Sequence, residues 1–229
     1  NNVIAVKVVE RLGVHTVIPY LKKFGISTLD EEGPVNDLNL AAVSLGGMSV
    51  GTTPYDMTGA YGAIANGGTR LETITFTKVT DKDGNLILEK VPRKIHVVNE
   101  DVAFLMHDML ESGARVGLAK TAAINESNLG IPIAGKTGTT SSKNDAWFIG
   151  YSPYYVAGVW IGNDVQVSLS QGSTIAAKFW KGAMQIVHEV FARTDQGCYK
   201  RLYENAYKIE DAWKFKPTNK SDMGLQFIS

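Results

Sequence analysis

The stretch "GIPIAGKTGTT", Gly130 to Thr140, decides the fold class, because two unrelated chemistries share its letters. Gly130, Gly135, Lys136 and Thr137 spell the phosphate-binding pattern G-x-x-x-x-G-K-[ST]. Lys136-Thr137-Gly138-Thr139 is also a motif of serine acyl-transfer enzymes. A phosphate loop follows a buried strand and opens a helix, since consecutive backbone N–H groups at the helix N-terminus hold the anion. Neither condition is met here. Upstream lies "AAINESNL", which is not a core strand, and Pro132 lacks an N–H where donors are needed. Downstream, Gly138 and "TTSSKND" are poor helix formers that give way to a strand, so the lysine falls on a strand end.

On an exposed sheet edge the four residues have a different use. Lys136 supplies positive charge, and the Thr137 and Thr139 hydroxyls suit a carboxylate. Gly138 carries no side chain to block a second backbone. An extended peptide could add to such an edge as a strand and place its terminal carboxylate among these groups. The competing reading is a strand that runs into a polar hairpin loop and does no chemistry.

The flanking sequence continues in strands. "IPIAGKTG", "DAWFIGYS" and "YYVAGVWIG" are short apolar runs, the last two joined at Ser152-Pro153, and together they predict an antiparallel meander. Ser173 is placed to cap a closing helix, with Ile175, Phe179, Ala183, Ile186 and Val190 expected on its core face. On the other side, Asn99 can cap a helix through "EDVAFLMHDMLESGA". Residues 73–80 ("TITFTKVT") and "NLILEK" read as a hairpin about Asp83-Gly84. Thr53-Pro54 opens a helix, with Thr53 as cap, that Gly67-Gly68 closes. At the start, the dense apolar run Val3 to Leu12 predicts a mostly buried helix. A second helix follows, capped by Thr16, with Pro19 in its first turn and Gly25 as its stop. The segments "DEEGPVNDLNL" and "SLGGMSVGTT" read as loops.

Composition narrows the function classes. The chain has 229 residues, 44% of them hydrophobic, which is enough for one large domain or two small ones. Twenty-three basic and 23 acidic side chains cancel, so no overall field would recruit nucleic acid or an anionic membrane surface. The single Cys198 has no disulfide partner within the chain and no C-x-x-C companion. His188-Glu189 starts like a zinc H-E-x-x-H, but position 192 is Ala192. No metal or cofactor is expected. His15, His96 and His107 read as surface or satisfied helix residues, and Trp147, Trp160 and Trp180 as core anchors.

At this point the chain resembles the penicillin-binding transpeptidases of the class A, bifunctional type. "GKTGTTSSKNDAWFIGYSPYYVAGVWIGND" is similar to that family's third active-site motif and the strand after it, and "LGGMSVGTTPYDMTGAYGAIANGG" to its Thr-Pro helix. "NNVIAVKVVERLG" is similar to the helix after the second motif, which makes Asn2 the asparagine of S-x-N. In place of the family's Gly-Thr-Gly-like segment the chain has "RVGLAKTAA". The resemblance implies an α/β (α+β) fold like that of the serine β-lactamases, an antiparallel sheet flanked by helices, incomplete without upstream strands. It implies the C-terminal part of a transpeptidase domain over residues 1–193 and a tail of uncertain structure over 194–229.

The implied function is peptidoglycan D,D-transpeptidation through a serine acyl-enzyme whose nucleophile lies outside this chain. Alternatives are a non-enzymatic β-lactam-binding sensor and a related D,D-carboxypeptidase or β-lactamase. Carried over by the resemblance, Lys136, Asn2 and Thr139 act in catalysis, and Thr137, Gly138 and Thr139 bind substrate. Half of the oxyanion hole comes from the Thr139 N–H. The implied partners are peptidoglycan stem peptides and β-lactams, with a companion N-terminal segment or chain that carries the serine. The membrane is reached only through an N-terminal anchor outside this chain, and the implied location is the extracytoplasmic face of the bacterial cytoplasmic membrane. Without its companion the fragment is expected to be inactive.

Overall fold

The computed structural model describes residues 2–124 and 131–194, with side chains to 190. The tail from residue 195, with Cys198, and Gly130 lie outside the described residues. The chain forms two compact units, one of residues 1–63 and 69–97, the other of residues 64–68 and those from 98 onward.

The first unit opens with helices α1 (Asn2–Leu12) and α2 (Val14–Phe24). The expectation that the first is mostly buried is wrong. Ala5, Val6 and Val9 are half-buried, while Val3, Ile4, Val8 and Leu12 are exposed. Apolar residues occupy both sides of α1, and among the described residues only one side is covered. In α2 the cap position is Gly13, at φ 83°, so Thr16 lies inside the helix and Pro19 beyond its first turn. Gly25 ends it as expected, at φ 99°, its N–H donating to the Lys22 carbonyl at 3.0 Å.

A short helix α3 (Leu40–Leu45) joins the two expected loops, overlapping the first at Leu40 and the second at Ser44 and Leu45, and is capped by the Asn39 side chain, which accepts from the Ala42 N–H at 2.8 Å. Thr53 caps α4 (Pro54–Ala65) as the sequence implies, its hydroxyl accepting from the Asp56 N–H at 3.1 Å. Strand β1 (Thr69–Leu71) pairs with β4 (Lys94–His96), and between them β2 (Lys78–Thr80) and β3 (Leu86–Glu89) form the expected hairpin. Its strand is shorter than residues 73–80, and Asp81 gathers the turn by accepting from the Asp83 and Asn85 N–H groups.

Carboxylates hold the loops of this unit. Asp37, fully buried, accepts from the Ser49 N–H (2.7 Å), the Ser49 hydroxyl (2.9 Å) and the Asp30 N–H (2.9 Å). Burial works against its charge, but these donors outweigh burial and hold its pKa below the usual carboxylate value. Asp56 accepts from both the N–H and the hydroxyl of Ser27.

The second unit is built on the predicted meander. Helix α5 (Glu100–Arg115) and a short 3-10 turn (Leu118–Ala122) lead to β5 (Ala134–Thr139), β6 (Ala146–Tyr151) and β7 (Val156–Ile161), in sheet order β5-β6-β7. Helix α6 (Thr174–Thr194) covers one sheet face. Its core residues are Ala176, Ala177, Trp180, Met184 and His188. Of the face expected from the sequence only Ile175 packs against the core; Phe179 is 63% and Ile186 62% exposed, and Val190 is exposed too. Apolar residues surround this helix, and the bulk and hydrogen-bonding reach of Trp180 decide which side turns inward; its indole N–H reaches the Ala157 carbonyl at 2.9 Å.

Beneath Trp180 lies Phe148, the ring centroids 5.1 Å apart. The Phe148 ring also lies across Gly135 and Gly150, which face each other in register; a Cβ on either would come within 2.7 Å of that ring. The glycine of the motif strand thus makes room for the core aromatic, which fixes β5 on the sheet.

Candidate functional site

Strand β5 carries the whole Lys-Thr-Gly-Thr motif and pairs with β6 through Lys136↔Ile149, Thr137↔Phe148, Gly138↔Trp147 and Thr139↔Ala146. After Thr139 the chain turns back into β6, so no helix follows Lys136 and the phosphate-loop arrangement is absent. Among the described residues no strand lies on the other edge of β5.

Alternation sorts the motif by face. Lys136 and Gly138 share the face away from α6, where a Cβ on Gly138 would stand 3.2 Å from Trp147 Cβ. Thr137 and Thr139 belong to the α6 side. Lys136 is exposed, and its Nζ donates to the carbonyl of Thr137 at 2.7 Å, which curls the ammonium back over the strand. Thr137, at 9% exposure, is buried, and Thr139 is exposed at the strand end. The structure therefore leaves Lys136 and Thr139 both exposed, on opposite faces of the strand, and sets Thr137 deeper. Asn2 is exposed on α1 in the first unit.

Several residues that support the motif escape sequence inspection. The Thr140 hydroxyl accepts from the N–H groups of Asn144 (2.9 Å) and Asp145 (3.1 Å), closing the hairpin after the motif. Asp145 accepts from the Trp160 indole N–H at 2.9 Å. Leu169 N–H donates to the Lys143 carbonyl at 2.8 Å, and Ser173 N–H to the Thr139 hydroxyl oxygen at 3.2 Å. Threonine, asparagine and aspartate after a strand are a readable turn signal, but the partners on residues 160–173 are not.

Trp160, 37% exposed, is not a core residue as expected, because its indole is held out over Gly162 by Asp145. Trp180 is the core anchor.

Two buried histidines lie beneath the site strand's neighbour. His107 Nδ1 meets the Tyr151 hydroxyl at 3.0 Å, and burial lowers its pKa to about 4. His188 Nε2 meets the Ser152 hydroxyl at 3.0 Å, and its Nδ1 the Met184 carbonyl at 2.6 Å. Ser152 Oγ accepts from the Tyr154 and Tyr155 N–H groups, so its proton goes to His188 Nε2 and the imidazole is the neutral Nδ1–H form. Burial lowers the His188 pKa as well. Both are satisfied structural histidines. No cluster of metal ligands occurs among the described residues.

A cavity of about 420 Å³ in the first unit is a weaker candidate. Its charges are already engaged: Arg93 with Glu72, Arg70 with the Lys23 carbonyl and Asp56 with Ser27.

Comparisons with known proteins identify the family and the fold. A family model described as the penicillin binding protein transpeptidase domain matches residues 1–185. The penicillin-binding protein 1A of Clostridium botulinum is 37% identical over 189 residues, which are 82% of this chain and 22% of that protein. That of Clostridium acetobutylicum is 35% identical over 188 residues, again 82% and 22%. The chain thus spans about a fifth of the length of these relatives. Among solved structures, penicillin-binding protein 1A from Haemophilus influenzae superimposes with a TM-score of 0.66 at 20% identity, over 82% of this chain and 32% of that one. That likeness shows the expected fold, an antiparallel sheet flanked by helices.

Proposed function

This chain belongs to the penicillin-binding protein transpeptidase family, and we propose on that premise that it supplies the substrate-carboxylate side of a peptidoglycan D,D-transpeptidase. The observation that carries the proposal is the open edge of β5, with Lys136 and Thr139 exposed at its end and Gly138 bare between them. A stem peptide ending in D-Ala-D-Ala adds alongside β5, its carboxylate taken by the Thr139 hydroxyl and the Lys136 ammonium. Thr137, set deeper, offers its hydroxyl to the same carboxylate. The Thr139 N–H gives half of the oxyanion hole, and Asn2 donates its side-chain amide to the substrate.

Within the 229 residues no serine has lysine three positions later. The acyl-transfer serine accordingly comes from a companion segment. Its oxygen attacks the penultimate D-Ala carbonyl, the bond to the terminal D-Ala nitrogen breaks, and D-Ala leaves as the amine after taking a proton. The amine of a second stem then attacks the acyl ester and restores the serine. A β-lactam carbonyl enters the first step and stops there.

Two surfaces suit that companion segment: the outer edge of β7, which pairs with no strand among the described residues, and the outward apolar side of α6 at Phe179, Ile186 and Val190. Residues 1–193 form the domain we assign, and the fragment without its companion is inactive. No helix of the described residues is long and apolar enough to cross a membrane; the anchor belongs to the whole protein, which works at the outer face of the bacterial cytoplasmic membrane.

The test uses the full-length gene product with a fluorescent penicillin and a stem-peptide donor. Wild type is labelled and transfers the donor to an acceptor amine with release of D-Ala. Lys136→Ala lowers the acylation rate roughly 100-fold or more. Labelling without release or transfer would make the protein a sensor, and release to water only would make it a carboxypeptidase.

A further inference from the structure

The segment that links β7 to α6 is fastened to the motif strand at three points. Asn144 Nδ2 donates to Gln166 Oε1 at 3.3 Å, Leu169 N–H to the Lys143 carbonyl at 2.8 Å, and Ser173 N–H to Thr139 Oγ1 at 3.2 Å. The first two grip the hairpin that follows the motif. The third grips the motif itself.

A threonine hydroxyl has one proton and two lone pairs. With Ser173 N–H directed at Oγ1, the hydroxyl proton cannot point toward the start of α6, since two hydrogens would then meet. Gly172 lies beside the same hydroxyl: a Cβ there would stand 3.8 Å from both Thr139 Oγ1 and Cγ2, at ordinary van der Waals contact. The proton turns to the exposed side of the strand end.

We infer that the backbone N–H of Ser173 is a positioning donor, which occupies Thr139 Oγ1 on its inner side and commits the Thr139 proton to an anionic acceptor on the outer side. The inference rests on the carboxylate-binding reading of Thr139 and adds to it where the selectivity for an acceptor over a donor group comes from. A C-terminal carboxylate meets a hydroxyl already turned toward it, and no rotamer has to be fixed on binding. An esterified or amidated terminus, with less charge to accept the proton, gains less.

The experiment compares acylation by a penicillin with a free carboxylate and by its methyl ester, in the full-length gene product. Thr139→Val lowers the ratio of the two rates about 10- to 100-fold by removing the donor to a charged group. Ser173→Pro, which removes the N–H, lowers the same ratio about fivefold through weaker binding of the acid, with the limiting acylation rate kept. Ser173→Ala retains the N–H and leaves the ratio unchanged. The double variant T139V/S173P falls no further than Thr139→Val.

The outcomes separate the two ideas. If Thr139→Val lowers the ratio and Ser173→Pro does not, the positioning role is overturned and the carboxylate reading stands. If Thr139→Val leaves the ratio alone, that reading falls and takes the inference with it. A measurement without proline guards against misfolding: exchange of the Ser173 amide hydrogen, slow in wild type, becomes roughly tenfold faster in Thr139→Val. Equal exchange in the two proteins also overturns the inference.

Discussion

The two units are held together by opposite chemistry. In the second, Phe148, Tyr151 and Trp180 are fully buried and the polar groups among them are neutral imidazoles and hydroxyls. In the first, the largest fully buried side chain is a carboxylate, Asp37, and its loops hang from oxygens that collect backbone N–H groups. The sheet unit therefore owes its shape to apolar area removed from water, and the loop unit to satisfied charge. A binding edge needs the first kind of support, because β5 must keep its register while a ligand strand comes and goes.

That contrast is broken most directly in the sheet. Phe148→Ala opens a cavity under Trp180 and between Gly135 and Gly150, and should cost about 3–5 kcal/mol of domain stability by urea unfolding. A loss below about 1 kcal/mol would mean that the aromatic stack does not hold β5. In the loop unit the counterpart is Asp37→Ala, which leaves three donors without their acceptor and should cost about 2–4 kcal/mol. Asp37→Asn keeps one acceptor oxygen and should lose less; equal losses would show that packing, not acceptance, matters at this position.

Acid sharpens the comparison, because the two units fail in different windows. His107 has a folded-state pKa of about 4 against about 6.5 when unfolded, for which burial is the cause. The unfolded chain takes up the proton first. Stability is therefore full above about pH 6.5 and falls as the pH drops toward 4, by roughly 2–3 kcal/mol. Asp37 has its pKa lowered by its donors, so its contribution is lost only below the ordinary carboxylate range, as the pH falls through the folded value. His107→Gln should make the stability profile between pH 6.5 and 4 shallower, with the remaining slope left to His188, whose pKa burial also lowers. An unchanged profile would refute the assignment of that window to His107.

How much of this is legible in the sequence depends on whether a signal is local. The meander is legible because "DAWFIGYS" and "YYVAGVWIG" combine β-branched and aromatic residues with a Ser152-Pro153 turn, and the motif strand because the apolar run "IPIAG" leads into it. The faces of α1 and α6 are not, since both helices carry apolar residues on all sides and only contact decides which are covered. Phe179 and Trp180 are equally apolar in a list, yet one is exposed and the other holds the sheet. The same limit hides Ser173: a backbone N–H has no letter, and its link to Thr139 spans 34 residues.

Helix caps give the smallest expected effect and the finest version of the comparison, since they are charge-free acceptors in the unit that relies on acceptors. Thr53 was readable because Pro54 follows it, and its hydroxyl does accept from Asp56 N–H. Asn39 was not, because "LAAVSL" is only six residues and sits between loops, yet its side chain accepts from Ala42 N–H and also donates from Nδ2 to the Asn36 carbonyl. Asn39→Ala should cost about 1 kcal/mol, and Asn39→Ser, which keeps the cap but not the second bond, about half of that. If both substitutions cost the same, the Asn36 contact and not the cap holds α3. In that case the helix persists only because Asp37, two residues before the cap, fixes the chain that enters it.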